Sequence, residues 1–268
     1  MKKFTTTVLA SLLALSACGD GEPGTIPSST QPDDVILTVI DEGGFAPVEM
    51  LLGRLPRYVL QADGRLYAPG AVPAIYPGPM LTPIFVGTVE QATLAEIMRL
   101  VNESGLPGID RLEDTTAANH VADATTTVIT YFDGTSEHTL AVYALGIASD
   151  TSATATAAAE LVQALDEAAA GLDDVTEFEP TKIEIRTGDG IALPDAEFRT
   201  TRPWPLATAP DEMAETAHGW RCVVVEGPPA RDLLEIFSSA DSATVWEHEG
   251  AEHALIARGL MPGEAGCA

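Results

Sequence analysis

Two Asp-Gly dipeptides, each set between runs of β-branched and aromatic residues, constrain the fold of this chain more than any other feature. The first lies in YVLQADGRLYA (58–68), the second in TTTVITYFDGTSEHTLAVYALGI (125–147). Asp-Gly supplies the positive-φ positions of a tight hairpin, so each segment is expected to pair with itself in antiparallel fashion. VILTVID (35–41) adds a strand, and further strands are expected over 181–187, 221–226 and in a hairpin within 244–260.

Helix signals are fewer. Thr88-Val-Glu-Gln91 has the form of a capping box. It would open a helix with Val89, Leu94, Ile97, Met98 and Val101 on one face, closed by Gly105 and Pro107. An alanine-rich helix spans about 153–170 and stops at Gly171, and Pro228-Pro229 suit the first turn of a helix reaching Ser238. Helices this sparse do not build a doubly wound parallel sheet. The expected class is α+β, with antiparallel sheets of hairpins packed by about three helices and two small subdomains, 35–172 and 173–268. Between them in character is PGAVPAIYPGPMLTP (69–83), whose prolines remove ladder donors and leave an extended loop or an edge. Tyr76 and Met80 give that loop apolar weight, so it reads either as a connection packed across the sheet or as a recognition loop.

The chain starts MKKFTTTVLASLLALSAC: Lys2 and Lys3, then an apolar run, then small residues. That is the pattern of a secretory signal over 1–17. Leu15-Ser16-Ala17-Cys18 resembles the lipobox of bacterial lipoproteins. The resemblance implies cleavage before Cys18, acylation of that cysteine, and a body held on the extracytoplasmic side of the bacterial cell envelope. Two or three acyl chains anchor a protein stably where one does not. No later stretch approaches the ~20 apolar residues of a spanning helix. Residues 18–34, rich in Gly, Pro, Ser and Thr, read as a flexible tether. The formal G-x-G-x-x-G at Gly19, Gly21 and Gly24 lacks the preceding strand of a dinucleotide site.

With Cys18 lipidated, Cys222 and Cys267 remain as an even pair in an oxidising setting, which points to a disulfide between them. The formal charge is −26, and lysine occurs only at Lys2, Lys3 and Lys182. Such a surface repels nucleic acid. More broadly, the Tyr58 hairpin, Val121-Ala-Asp123 ahead of a threonine-rich strand, the Trp246 hairpin, Leu260-Met-Pro-Gly-Glu264 and Cys267 resemble uncharacterised secreted lipoproteins of GC-rich bacteria. That resemblance implies no activity.

One short stretch invites a catalytic reading: WEHEGAEH (246–253). Zinc peptidases place two histidines four apart on one helix face. Here His248 and His253 are five apart, which on a helix at about 100° per residue turns them roughly 140° from each other. In a hairpin, a Glu249-Gly250 turn pairs Trp246 with His253 and puts both histidines on one face, but sets Glu247 against Glu252. A three-residue loop over 249–251 instead pairs His248 with Glu252 and Glu247 with His253, separating the histidines. Glycine placement favours the first, charge the second, and a helical AEHALIAR stays open as well. The reading that follows is a membrane-tethered envelope lipoprotein acting as a non-enzymatic binding or structural module. It has no expected cofactor and no catalytic residue. It is held by Cys18 and partnered by another envelope protein. The alternative is a metal-binding lipoprotein or metal-dependent hydrolase using His248 and His253.

Overall fold

The computed structural model describes residues 24–147, 152–172, 174–188, 191–216 and 219–267. The expected leader over 1–17, Cys18, Gly19 and Gly21 lie outside them. The chain is α+β, with three mostly antiparallel sheets, 24% helix and 33% strand.

The first half builds strand β1 (Val35–Gly43), a short helix α1 (Val48–Leu52), β2 (Tyr58–Gln61), β3 (Arg65–Pro69), β4 (Ile84–Thr88), helix α2 (Gln91–Glu103), β5 (Arg111–Asp114), β6 (Thr125–Phe132), β7 (Glu137–Tyr143), helix α3 (Ala153–Ala170) and β8 (Thr176–Glu177). These strands form one eight-stranded sheet in the order β5-β7-β6-β1-β2-β3-β4-β8. Both expected hairpins are present. At the first, Gly64 takes φ +89° and its N–H donates to Gln61 O. At the second, the loop runs over 133–136, and Asp133 Oδ1 accepts from the amides of Thr135 and Ser136. The pairing of β5 with β7 is parallel, which no local sequence signal announced. β8, beyond the boundary expected at residue 172, still belongs to this sheet through β4.

The helix signals mostly resolve as read, with one correction. Thr88 does not cap α2: it ends β4 opposite Arg65, and the N-cap is Glu90, without a side-chain cap bond. The sheet takes Thr88 because its neighbour Val89 donates to Gly64 O, which closes the β3–β4 ladder. The face of α2 is as expected, with Leu94, Ile97, Met98 and Val101 buried. α3 is capped by Ser152, whose Oγ accepts from Ala155 N at 2.9 Å. Both helices cover one face of the sheet, on Leu60, Leu66, Ile129 and Leu140.

The second half contributes β9 (Lys182–Thr187), β10 (Thr200–Pro203), β11 (Ala214–Glu215), β12 (Arg221–Glu226), helix α4 (Pro228–Ser238), β13 (Thr244–His248), β14 (Ala251–Ala254) and β15 (Ile256–Gly259). They form a four-stranded antiparallel sheet, β11-β12-β9-β15, and a three-stranded sheet, β10-β13-β14, in which β10 runs parallel to β13. Their core gathers Ile183, Ile185, Leu233, Phe237 and Trp246. A smaller cluster, Leu55, Val59, Tyr67, Ile84 and Met261, seals the two halves together on the face of the large sheet opposite α2 and α3. Cys222 and Cys267 are joined as a disulfide, as their arithmetic implied.

The segment expected to be a flexible tether is, from Gly24 onward, laid along the body. A Cβ at Gly24 would sit 2.9 Å from Ala95 O of α2, and Ile26 packs against the first core. Ser29 Oγ donates to Asp133 O, while Ala62 and Asp63 donate their amides to Asp34 O and Pro32 O. The polar composition of this stretch hid a run of backbone acceptors that the β2–β3 turn can satisfy.

Candidate functional site

The proline-rich run 69–83 leaves the end of β3 and crosses to the other half of the molecule. With few amides to donate, it makes isolated contacts instead of a ladder. Ser242 N donates to Gly78 O, Gly78 N donates to Ser242 Oγ, and Met80 N donates to Ala240 O. Met80 and Leu81 pack against the second-half core. Tyr76 stays 57% exposed and meets Phe198 edge-on, ring centroids 5.1 Å apart. The run is therefore a strap between the halves, and of its two sequence readings the connecting one is partly right. It crosses to the second half, however, instead of lying on its own sheet.

Under the strap lies a cleft of about 620 Å³. One wall is the strap itself (Leu81, Pro83), the other is α4 (Leu234, Phe237), and Phe178 and Pro180 floor it beyond β8. Its rim carries Glu177, Glu179, Glu235 and Arg231, with Arg231 Nε 2.9 Å from Glu179. A volume of this order falls within the about 300–1,000 Å³ of ligand sites, and its walls are mostly apolar, as such sites require. No side chain singled out from the sequence for chemistry lines it.

His248 and His253 lie elsewhere, on the β13–β14 hairpin. The register is the glycine-favoured one: Trp246 pairs with His253, and Glu247 with Glu252. Glu249 and Gly250 take φ +51° and +84°, the turn that matches strand twist. The like-charge pair is tolerated because each carboxylate has a partner that sequence reading could not see. Arg199 Nη1 is 3.2 Å from Glu252, and Gly250 N donates to Glu247 Oε1 at 2.7 Å. Both histidines consequently share a face, each against Trp204, with centroids 6.0 Å (His248) and 5.5 Å (His253) away. Trp204 is held by its Nε1–H to Thr208 O, 2.8 Å. Among the described residues, the three-donor group close enough to share a metal ion is Glu184, Cys222 and Cys267, where both sulfurs are tied in the disulfide.

That group belongs to a buried cluster the sequence reading missed. Glu184 on β9 is 1% exposed and faces Arg258 across the β9–β15 ladder. Its carboxylate receives Arg186 Nε at 2.6 Å, Arg258 Nε and Nη2, and the Cys267 amide at 2.7 Å. Glu264 completes the set with Arg258 Nη1, 2.6 Å. Burial by itself would raise the Glu184 pKa, but the hydrogen bonds from Arg186 and Arg258, the charge of Arg258 and the Cys267 amide win and bring it down to about 2. The readable hint was KIEIRT (182–187): isoleucines alternating with a carboxylate and a guanidinium, two apart on one face. The arrangement closes the C-terminal tail; it is structural.

Two further ionisable residues are tied into local hydrogen bonds. His138 Nδ1 donates to Ile109 O at 2.6 Å and its Nε2 lies 3.1 Å from Asp133. Asp123 takes φ +60°, and its carbonyl accepts from Phe45 N. Comparison with known protein families, with curated proteins and with solved structures finds no match to this chain.

Proposed function

We propose that this protein is a lipid-anchored binding module of the bacterial cell envelope, tethered through Cys18 and facing the extracytoplasmic side. It acts without catalysis and takes an extended apolar segment of another envelope protein into the cleft under the strap. The observation that carries the reading is the cleft's make-up: Leu81, Pro83, Phe178, Leu234 and Phe237 wall it. The three rim carboxylates, only one of them paired to Arg231, favour a segment flanked by cations. The lipobox resemblance supports the anchor, and the disulfide supports an oxidising compartment.

The test uses the full chain in a bacterium that processes lipoproteins. The wild type is expected in the membrane fraction and Cys18→Ser in the soluble one. A photo-crosslinking residue at Leu81 is expected to give one discrete adduct, lost in Leu234→Asp while the fold is kept. Membrane retention of Cys18→Ser would remove the anchor, and adducts unaffected by Leu234→Asp would remove the cleft.

A second reading keeps a metal at His248 and His253, favoured by the register that sets both imidazoles on one face. Zinc at ~100 times its dissociation constant would add ~2.7 kcal/mol to stability. A melting curve unmoved by zinc, or moved equally in His253→Ala, ends it.

A further inference from the structure

We infer that the end of the molecule far from the tether, where Phe45, Met50, Tyr76, Ile75, Leu193 and Phe198 are exposed, is a docking surface for a second envelope protein. That partner would be held away from the bilayer and would present an apolar centre ringed by lysine or arginine. The inference rests on Cys18 being the lipid anchor.

Exposure comes first. Phe45 is 91% exposed, Ile75 67% and Met50 65%, values that burial in a partner would improve and that isolated surface residues of this size rarely reach together. They come from two loops leaving the same end of the large sheet. Gly43, at the end of β1, pairs with Thr125, and the segment carrying Phe45 and Met50 follows. Pro69, at the end of β3, pairs with Ile84, and the strap follows. The loop 191–198 bridges them: Ala192 N donates to Glu49 Oε1 of α1, and Phe198 meets Tyr76.

The tether leaves from the opposite end. Gly24 lies on Ala95, in the second turn of the helix that follows β4, and Ser29 bonds the β6–β7 loop at Asp133. β1 joins the two ends with nine residues, at ~3.4 Å each about 30 Å. From Cys18 to Gly24 are six peptide steps, which reach at most about 22 Å in any conformation. The leash is shorter than β1 alone, which works against turning the exposed end flat onto the bilayer that holds Cys18. Length thus argues for a protein as occupant over a lipid surface.

Charge sets the kind of protein. Glu42, Glu49, Asp195 and Glu197 lie on the same segments as these apolar side chains. Of the cations on these segments, Arg199 is paired with Glu252, and Arg54 keeps its charge while donating to Asp41 O and Gly43 O, so the carboxylates outnumber the free positive charge. A second copy, with formal charge −26, would be repelled there.

The experiment places p-benzoylphenylalanine at Phe45, at Tyr76, and for contrast at Asp63 and Asp133, in the full chain in its membrane. Expected is one polypeptide adduct shared by Phe45 and Tyr76, absent from Asp63 and Asp133. Its yield should fall severalfold when salt is raised from 0.05 to about 0.5 M, as screening shortens the Debye length. Lipid adducts at Phe45, an adduct of twice the chain mass, equal labelling from Asp133, or no adduct at Phe45 and Tyr76 would each overturn the surface. Fractionation of Cys18→Ser reads the anchor separately, so a failed anchor and a failed surface give different results.

Discussion

The Glu184 carboxylate and the Cys267 amide, 83 positions apart, meet at 2.7 Å, and the same carboxylate carries Arg186 and Arg258. Glu184→Gln removes the anion that Arg186 and Arg258 share, leaving Glu264 on Arg258. Removing one partner of a buried ionic cluster costs about 3–5 kcal/mol. Chemical denaturation is the measurement: a loss of that size with unchanged slope is expected, and a loss below about 1 kcal/mol would mean that solvent reaches the cluster.

Acid should act on the same group. Its folded pKa, about 2, lies below the ordinary 4.5, so its contribution is complete above about pH 4.5 and disappears as pH falls toward 2. Asp114, depressed by hydrogen bonds from Ser152 and Thr116, and Asp133, depressed by the Ser136 amide and His138, add to the same acid limb. Stability measured from pH 6 downward should therefore fall less steeply in Glu184→Gln than in the wild type, without becoming flat.

The disulfide closes a loop of 45 residues. On the chain-entropy model that is about 4 kcal/mol, and for a chain of this size roughly 10 °C in melting temperature. Cys222→Ala with Cys267→Ala should show both. A much smaller drop would mean that Glu184, Arg258 and Glu264 hold the tail unaided.

His138 offers a test in the opposite direction of pH. Its pKa is raised chiefly by the hydrogen bond to Asp133, against burial. A raised folded value means its contribution is complete below about pH 6.5 and is lost as pH rises through the folded pKa. NMR titration of the ring should show this, and Asp133→Asn should bring the value down while keeping the turn's acceptor at Oδ1. Equal titration in the two proteins would assign the shift to the Ile109 carbonyl instead.

How much of this was readable follows from where each signal sits in the chain. α3, α4, β12 and the two first-half hairpins have local signatures: an alanine-rich run stopped by Gly171, a Pro-Pro first turn, a β-branched run, Asp-Gly. The cysteine pair was readable because only two cysteines remained once Cys18 was assigned. The parallel pairing of β5 with β7 and of β10 with β13 was not, since partners far apart in sequence leave no periodicity. The prolines of the strap forbade a ladder but could not say where the strap lands, because Ser242 and Ala240 follow it by some 160 residues. At Glu184 the alternation in KIEIRT is local, whereas Arg258 and the Cys267 amide, which join Arg186 on the buried carboxylate, come from 74 and 83 positions further on.

The β13–β14 hairpin gives the last prediction, because there turn chemistry and charge disagreed. Turn geometry prevailed: Glu249 accepts φ +51°, a left-handed conformation that strains residues other than glycine, asparagine and aspartate. Arg199 compensates the carboxylate pair from outside the hairpin. Glu249→Asn should relieve the strain and remove one of three crowded carboxylates, adding about 0.5–1 kcal/mol. Arg199→Ala should do the reverse, leaving Glu252 opposite Glu247 with weaker compensation. Thermal melting distinguishes the terms. A rise for Glu249→Asn that persists in high salt, with no change for Arg199→Ala, would assign the cost of the hairpin to backbone strain. A fall for Arg199→Ala that vanishes in high salt would assign the register's tolerance to that one ion pair.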